Sequence, residues 1–112
     1  MNRWTGTGML YQPPRISYTQ TGKARVSFLL SVPRNRGQTE KEEMDYIPIV
    51  AWGKIAEEVN DYAQKGEQIG VDGVLQTRNY TGADGNKRYV TEVIANAVDY
   101  LDRRTEKKIS DQ

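Results

Sequence analysis

Apolar and polar residues alternate along two separate stretches of the chain. In residues 23–32, "KARVSFLLSV", the apolar positions that share one face are Ala24, Val26, Phe28, Leu30 and Val32. The same period returns in residues 68–77, "QIGVDGVLQT", where Gly73 is in phase with the apolar positions and so indicates a bend or a close backbone approach. A period of two residues is that of a strand with one buried face, so both stretches are predicted to be half-buried strands.

Residues 45–52, within "MDYIPIVAWGK", are predicted to form a strand with two unlike faces. The isoleucines lie on one face, and Tyr46 and Trp52 lie on the other. Pro48 has no N–H to donate to a ladder, which places it where the strand is unpaired on one side or bulged. A lone tryptophan in a strand is more often core than surface. The pattern by itself therefore leaves open whether the two rings are buried or held outward.

The hydrophobic period lengthens after this strand. Ile55, Val59 and Tyr62 are spaced as the apolar stripe of a helix, with acidic residues between them. This spacing predicts one short amphipathic helix with Tyr62 on its buried side. We expect the helix to end near Lys65 and Gly66, because a glycine suits a left-handed C-terminal cap.

Turn residues and a last apolar run complete the predicted elements. Asp84 and Gly85, within "RNYTGADGNKR", are a strong signal for a hairpin, and residues 88–101 form the strand that follows it. Residues 3–11, "RWTGTGMLY", are predicted as a first strand. Five strands with one α-helix between the third and fourth are the element order of an OB-fold, an all-β barrel that binds oligonucleotides or oligosaccharides.

Composition narrows the chemistry that the chain can perform. The 112 residues contain no cysteine and no histidine, which removes thiol chemistry, zinc sites built on these residues and the usual general base near neutral pH. We therefore expect no enzyme activity, no catalytic residue, no metal and no cofactor. No apolar run approaches the ~20 residues of a membrane span, and the start of the chain lacks the features of a signal peptide, so a soluble, cytoplasmic protein is expected.

The net charge of +1 conceals an uneven distribution. Residues 40–72 hold nine acids against three bases, whereas residues 1–39 hold no acid and six bases. These bases are Arg3, Arg15, Lys23, Arg25, Arg34 and Arg36. If the N-terminal third folds onto one face, it forms a positive patch that attracts a polyanion. The alternative is that folding scatters these charges over the surface.

Two long segments resemble bacterial-type single-stranded DNA-binding proteins. They are "DYIPIVAWGKIAEEVNDYAQKG" and "VDGVLQTRNYTGADGNKRYVTEVIANAVDYLD", with "VAWGK", "LQTRNY" and "RYVTEV" as their distinctive motifs. A looser match, "RISYTQTGKARVSFLLSVPR", extends the resemblance over residues 14–102. The resemblance implies an OB-fold that binds single-stranded DNA without sequence preference, usually as a homotetramer, in replication, recombination, repair or DNA uptake.

The resemblance also implies which residues contact DNA. Three aromatic residues at matching positions stack on bases: Tyr46, Trp52 and Tyr80. Basic residues at matching or adjacent positions follow the phosphates: Lys54, Arg78, Lys87 and Arg88. The loop between the second and third predicted strands lacks an aromatic that many members carry, and Arg34 and Arg36 are expected to replace it by charge or by stacking a guanidinium on a base. For Tyr18 and Tyr89, packing across strands and DNA contact stay equally open.

Three departures from the family pattern set the remaining expectations. In the family the first strand is usually aliphatic and often forms a contact between subunits, whereas residues 3–10 of this chain read "RWTGTGML". A dimer is therefore an alternative to the homotetramer. Residues 1–102 are expected to form the binding domain and residues 103–112 a polar, disordered tail. Because this tail is not the acidic tip that recruits repair enzymes, recruitment is not expected. The alternatives are a dimeric accessory protein of a primosome or mobile element, and an interaction module that has lost DNA binding.

Overall fold

A computed structural model describes residues 1–34 and 43–103 of the chain. It contains six β-strands, one α-helix and a final 3₁₀ turn: β1 (Trp4–Leu10), β2 (Arg15–Tyr18), β3 (Ala24–Pro33), β4 (Met44–Trp52), α1 (Gly53–Tyr62), β5 (Gln68–Thr81), β6 (Lys87–Tyr100) and the turn Leu101–Arg103.

Five of the strands close into a barrel. Their order is β1, β5, β6, β4, β3, and β1 meets β3 again where Met9 lies opposite Ser31 and Leu10 opposite Leu30. Strands β4 and β6 run parallel, and the other neighbours run antiparallel. This is the predicted OB-fold, with α1 in the chain between β4 and β5. The short strand β2 was not predicted; it pairs with the first residues of β3 and lies outside the ring.

The barrel interior is filled by the apolar face of each strand. On β3, Val26 and Leu30 are fully buried, and on β4, β5 and β6 so are Ile49, Ile69 and Val93. The predicted inward face is confirmed for residues 24–30 of β3. On β4 the isoleucines face inward as predicted, but Val50 on the opposite face is buried as well. The core is therefore built from side chains whose sequence positions already had the period of a strand.

Two glycines allow backbones to approach closely at the barrel seams. A Cβ atom on Gly73 would overlap the carbonyl oxygen of Ile94, and the ladder between β5 and β6 shifts register at Asp72 and Gly73. The predicted bend at Gly73 is thus confirmed as a bulge. A Cβ atom on Gly8 would overlap the carbonyl oxygen of Ser31, close to the point where β1 meets β3.

Helix α1 covers part of the barrel with Ala56 and Val59, both of which are fully buried. It ends at Tyr62, earlier than predicted, and Gly66 adopts its left-handed backbone, φ 89°, in the turn that follows. The prediction that Tyr62 is core was wrong: its side chain is exposed, and its ring meets the edge of the Tyr100 ring at 6.1 Å. The buried stripe of the helix is formed by Ala56, Val59 and the following Ala63, and Tyr62 lies at the edge of that stripe.

Pro48 lies opposite Leu29 of β3, whereas β6 pairs with β4 only at Ile49 and Val50. The strand is thus unpaired beside the proline on one side, as predicted. Over residues 1–34 and 43–103, no helix has the length and apolar character needed to cross a membrane.

Candidate nucleic-acid interface

Tyr46 and Trp52 lie on the outward face of β4. Their cross-strand partners on β3 are Ser31 and Arg25, whereas the inward residues Ile47 and Ile49 face Leu30 and Phe28. Trp52 is half-buried and Tyr46 is exposed. Neither ring belongs to the buried core, so the sheet holds both aromatics toward the outside of the barrel.

Two cations lie close to the Trp52 ring. The Nζ atom of Lys23 is 5.2 Å from the ring centroid, and the Cζ atom of Arg25 is 5.7 Å from it. Both distances are within the range of a cation–π contact. Sequence reasoning counted these residues only in the overall charge, because their proximity to Trp52 depends on the pairing of β3 with β4. An aromatic surface and two positive charges therefore share one small area of the barrel.

A pair of tyrosine rings lies on the same outward face, at the end of β4 away from Trp52. The Tyr11 ring is 4.6 Å from the Tyr46 ring, centroid to centroid, with the planes tilted by 59°. Tyr11 comes directly after β1 and was missed by the sequence analysis, because an isolated tyrosine outside a periodic segment carries no signal. The register that brings it to Tyr46 is visible only in the folded chain.

A groove of about 300 Å³ runs over β3 and β4. Its walls include Gln12, Pro13, Arg15, Leu29, Pro48 and Glu92. A smaller depression of about 160 Å³ adjoins Trp52 and is bounded by Arg25, Arg78 and again Glu92. The two depressions share Glu92, so the outward face is continuous from β3 across β4 to the base of the β5–β6 hairpin.

The β5–β6 hairpin carries Tyr80 on an exposed two-stranded arm. Tyr80 lies opposite Arg88, and the Cζ atom of Arg78 is 6.0 Å from the Tyr80 ring centroid. These three side chains share one face of the arm because strand residues alternate. Lys87 lies opposite Thr81 on the other face, so the structure does not bring it together with Tyr80.

Two carboxylates hold the arginines of this arm. Arg78 donates from Nε to Glu92 at 2.8 Å, and Arg88 donates from Nη2 to Asp84 at 2.7 Å. Asp84 also accepts a hydrogen bond from the Asn86 backbone N–H in the turn. Glu92 is buried, unlike Asp84. Both arginines are therefore fixed in direction while further N–H groups remain for another ligand.

Arg34 lies at the end of β3, beside the start of β4. Its Nε donates to Asp45 at 2.8 Å and its Nη1 to Glu43 at 2.7 Å. The hydrogen bond and charge of Asp45, helped by Glu43, raise the pKa of Arg34 above its ordinary value. Its guanidinium is thus already engaged by two carboxylates. Arg36, the other residue expected to act in this loop, lies outside the described residues.

The remaining predicted residues lie apart from the rings. Lys54 is exposed in the first turn of α1, next to Trp52 in the chain. Tyr18 is exposed at the end of β2, and Tyr89 is exposed on the same hairpin face as Lys87. Within residues 1–34 and 43–103, no three His, Cys, Asp or Glu residues are grouped so that they could hold a metal ion.

The barrel, with aromatic and cationic side chains across one outward face, has the architecture of an OB-fold binding protein. The chain belongs to the single-strand binding protein family, whose model matches residues 1–101.

Named relatives cover almost the whole chain. A single-stranded DNA-binding protein of Clostridium tetani is 45% identical over 103 residues, which are 91% of this chain and 71% of the relative. One from Bacillus cereus is 47% identical over 105 residues, 93% of this chain and 62% of the relative. The single-stranded DNA-binding protein 2 of Clostridium acetobutylicum is 44% identical over 103 residues, 91% of this chain and 77% of the relative.

Proposed function

We propose that this chain binds and protects single-stranded DNA without sequence preference, in replication, recombination, repair or DNA uptake. The observation that carries the proposal is the outward placement of Trp52 beside Lys23 and Arg25 on the face that also holds Tyr46. Rings held outside the core next to cations are what a flexible strand of bases and phosphates requires. Membership of the family and the names of the relatives support the same function.

Stacking explains why sequence is not read. Every base has a π-face, so an exposed ring accepts any of the four. Stacking contributes about 1–3 kcal/mol per base, a general value for single-strand binding proteins and not a result for this chain. Cations along the path add affinity that depends on salt, with log affinity falling by about 0.7 per log unit of salt for each phosphate neutralised.

In the proposed complex, aromatic side chains contact bases and basic side chains contact phosphates. Tyr46, Trp52 and Tyr80 contact bases. The cations that hold phosphates are Arg78 and Arg88 on the arm, Lys87 on its other face, Lys54 at the start of α1, Arg34 just after β3, and Arg36, which lies outside the described residues. Binding of this kind needs no catalysed step and no cofactor, and we expect the protein to act where the DNA is, in the cytoplasm.

We propose that the protein self-associates, as a homotetramer with a dimer as the other possibility. Strand β1 pairs with β5 along residues 4–8, but β3 meets β1 only at Met9 and Leu10. One edge of residues 4–8 thus has no strand partner within the described part of the chain. Such an edge is a template for pairing with a second chain. Light scattering of the purified protein would distinguish the two states.

A fluorescence titration tests the proposed function. In a Trp4→Phe background, Trp52 is the only tryptophan, and we expect oligo(dT) to quench its emission. The affinity of Trp52→Ala in the same background is then measured by anisotropy of a labelled oligo(dT). We expect it to be about fivefold to 150-fold weaker, the effect of losing one stacked base. Unchanged affinity in a folded Trp52→Ala variant would contradict the proposal.

The comparisons do not favour the accessory-protein alternative, in which protein contacts replace DNA binding. The family match spans residues 1–101, which include both aromatic strands and the arm. A dimer that bound a helicase tightly and oligo(dT) poorly would favour that alternative.

A further inference from the structure

We infer that residues 11–15 form a further nucleotide subsite, in which Tyr11 contacts a base and Arg15 a phosphate of the bound strand. This inference rests on the proposed binding of single-stranded DNA. It extends the proposed binding face to residues that the sequence patterns did not identify. Residues 11–15 run from the end of β1 to the start of β2. Tyr11 contacts Tyr46, and Gln12, Pro13 and Arg15 line the groove over β3 and β4.

The backbone holds Tyr11 in a fixed position. Its N–H donates to the carbonyl of Leu29 at 3.0 Å, and the N–H of Leu10 donates to the carbonyl of Glu67 at 2.9 Å. The backbone at Tyr11 is therefore anchored between β3 and the turn before β5, and the ring rests against Tyr46. A base that stacks on the ring thus orders only the side chain and not the backbone.

The two tyrosine rings form an open corner. Tyr11 is 41% exposed and Tyr46 is 47% exposed, although their centroids are only 4.6 Å apart. A tilt of 59° is closer to an edge-to-face contact than to a stack. Such a contact uses the edge of one ring and leaves ring surface free on both. The corner can thus receive a base against a second aromatic that the family motifs do not specify.

Arg15 supplies a cation on the same side of the sheet. It lies opposite Ser27 on β3, and Arg25, two positions earlier on β3, is the outward residue beside Trp52. Arg15 is exposed and forms no ion pair with any residue in the ranges 1–34 and 43–103. Its guanidinium is thus available to bind a ligand in the groove, which Gln12 and Pro13 also line. An outward arginine with no ion-pair partner among the described residues is suited to a phosphate.

The simpler role for Tyr11 is to cover Tyr46 and hold its ring in place. Such a supporting role needs volume and apolar surface but no π-face, so leucine would fulfil it. Direct stacking needs an aromatic ring but not the phenol hydroxyl. Tyr11→Leu and Tyr11→Phe therefore separate the two roles.

The test measures the Kd of labelled oligo(dT) for the full chain with each substitution, with Tyr62→Leu, at the exposed end of α1, as the matched control. We expect Tyr11→Leu to bind about fivefold to 150-fold more weakly, and Tyr11→Phe to restore the wild-type affinity. Arg15→Gln should lower the slope of log affinity against log salt by about 0.7. Equal affinity in Tyr11→Leu and wild type, while Trp52→Ala is weakened, would overturn the subsite and leave the proposed function intact. A wild-type chain that does not bind oligo(dT) would overturn both.

A cross-linking measurement reads the contact directly. An oligonucleotide containing 5-iododeoxyuridine is irradiated with the Trp4→Phe protein, and cross-linked peptides are identified by mass spectrometry. Trypsin separates residues 4–15, which contain Tyr11, from the peptide that carries Tyr46 and Trp52. We expect an adduct on Tyr11. Adducts on Tyr46 or Trp52 without one on Tyr11 would assign Tyr11 the supporting role.

Discussion

The Nε atom of Arg78 lies 2.8 Å from Oε1 of Glu92, at the point where the hairpin arm leaves the barrel. The Glu92 side chain is only 8% exposed, whereas that of Arg78 is 49% exposed. A buried carboxylate requires a partner, because an unpaired charge away from water is costly. Arg78 therefore stabilises the fold with one N–H group and offers its others to solvent or to a phosphate.

This pair predicts an asymmetry between its two members. Arg78→Ala leaves the Glu92 carboxylate buried without its ion-pair partner, and we expect a loss of about 2–4 kcal/mol in the free energy of unfolding. Glu92→Gln keeps an acceptor for Arg78, so the loss should be about 1 kcal/mol. Urea denaturation measures both. Arg88→Ala, which breaks an exposed pair with Asp84, is the control and should cost less than about 1 kcal/mol. Equal losses in all three variants would contradict the asymmetry.

Replacing Arg25 on β3 and replacing Arg34 just after β3 should change the salt dependence of DNA binding by different amounts. Arg25, beside Trp52, forms no ion pair within the described residues, whereas Arg34 is engaged by Asp45 and Glu43. We expect Arg25→Gln to lower the slope of log affinity against log salt by about 0.7, and Arg34→Gln to lower it by less. The slopes come from oligo(dT) titrations over a range of NaCl concentrations. A larger change in Arg34→Gln would show that phosphates displace its carboxylates.

Replacement by alanine should change the free energy of unfolding differently at Gly73 and at Gly70, two glycines of β5. A Cβ atom at Gly73 would overlap the Ile94 carbonyl, so Gly73→Ala should destabilise by about 1–3 kcal/mol or more. At Gly70 the nearest atoms lie 3.7 Å away, an ordinary contact, and alanine there should be neutral or stabilising by about 0.5–1 kcal/mol. Denaturant unfolding of both variants provides the measurement. A harmless Gly73→Ala would mean that the bulge can move.

DNA affinity should change little with pH near neutrality. The chain has no histidine, the side chain whose charge ordinarily changes between about pH 5 and 8. The pKa of Arg34 is raised on folding, so its contribution to stability is complete below the ordinary arginine value and is lost only as pH rises through the folded value. We expect the Kd for oligo(dT) to vary less than about twofold from about pH 6 to 8.5. A steep change in anisotropy titrations over this range would reveal a titrating group in the site.

Much of the barrel was predictable because strand alternation is a local property. The burial of Val26 follows from the parity of its position. Parity put Trp52 on the face opposite the isoleucines but did not show that it is held outward, because Val50 on the same face is buried. Strand β2 was missed because four residues are too few to show a period, and its pairing with β3 is a tertiary contact. Tyr62 had helical spacing from Ile55 and Val59, but the buried stripe of the helix runs through Ala56, Val59 and Ala63, which leaves Tyr62 at its exposed edge.

The site was less predictable, because it depends on register. Arg25 and Trp52 are 27 positions apart in the chain yet lie opposite each other. Lys87 and Arg88 are adjacent in sequence, and for that reason they occupy opposite faces of the arm. The first relationship does not follow from residue type or spacing before the pairing of strands is known. The second follows from strand alternation once β6 is seen to begin at Lys87, one residue earlier than predicted.

The hairpin arm also has a mechanical consequence. From residues 75 to 81 and 83 to 89 both strands are exposed, so little but their own ladder and cross-strand contacts holds them together. A two-stranded ribbon without a core beneath it is only marginally stable and bends at low energetic cost. We therefore expect the arm to bend more readily than the barrel, so that Tyr80 can change its position relative to Trp52.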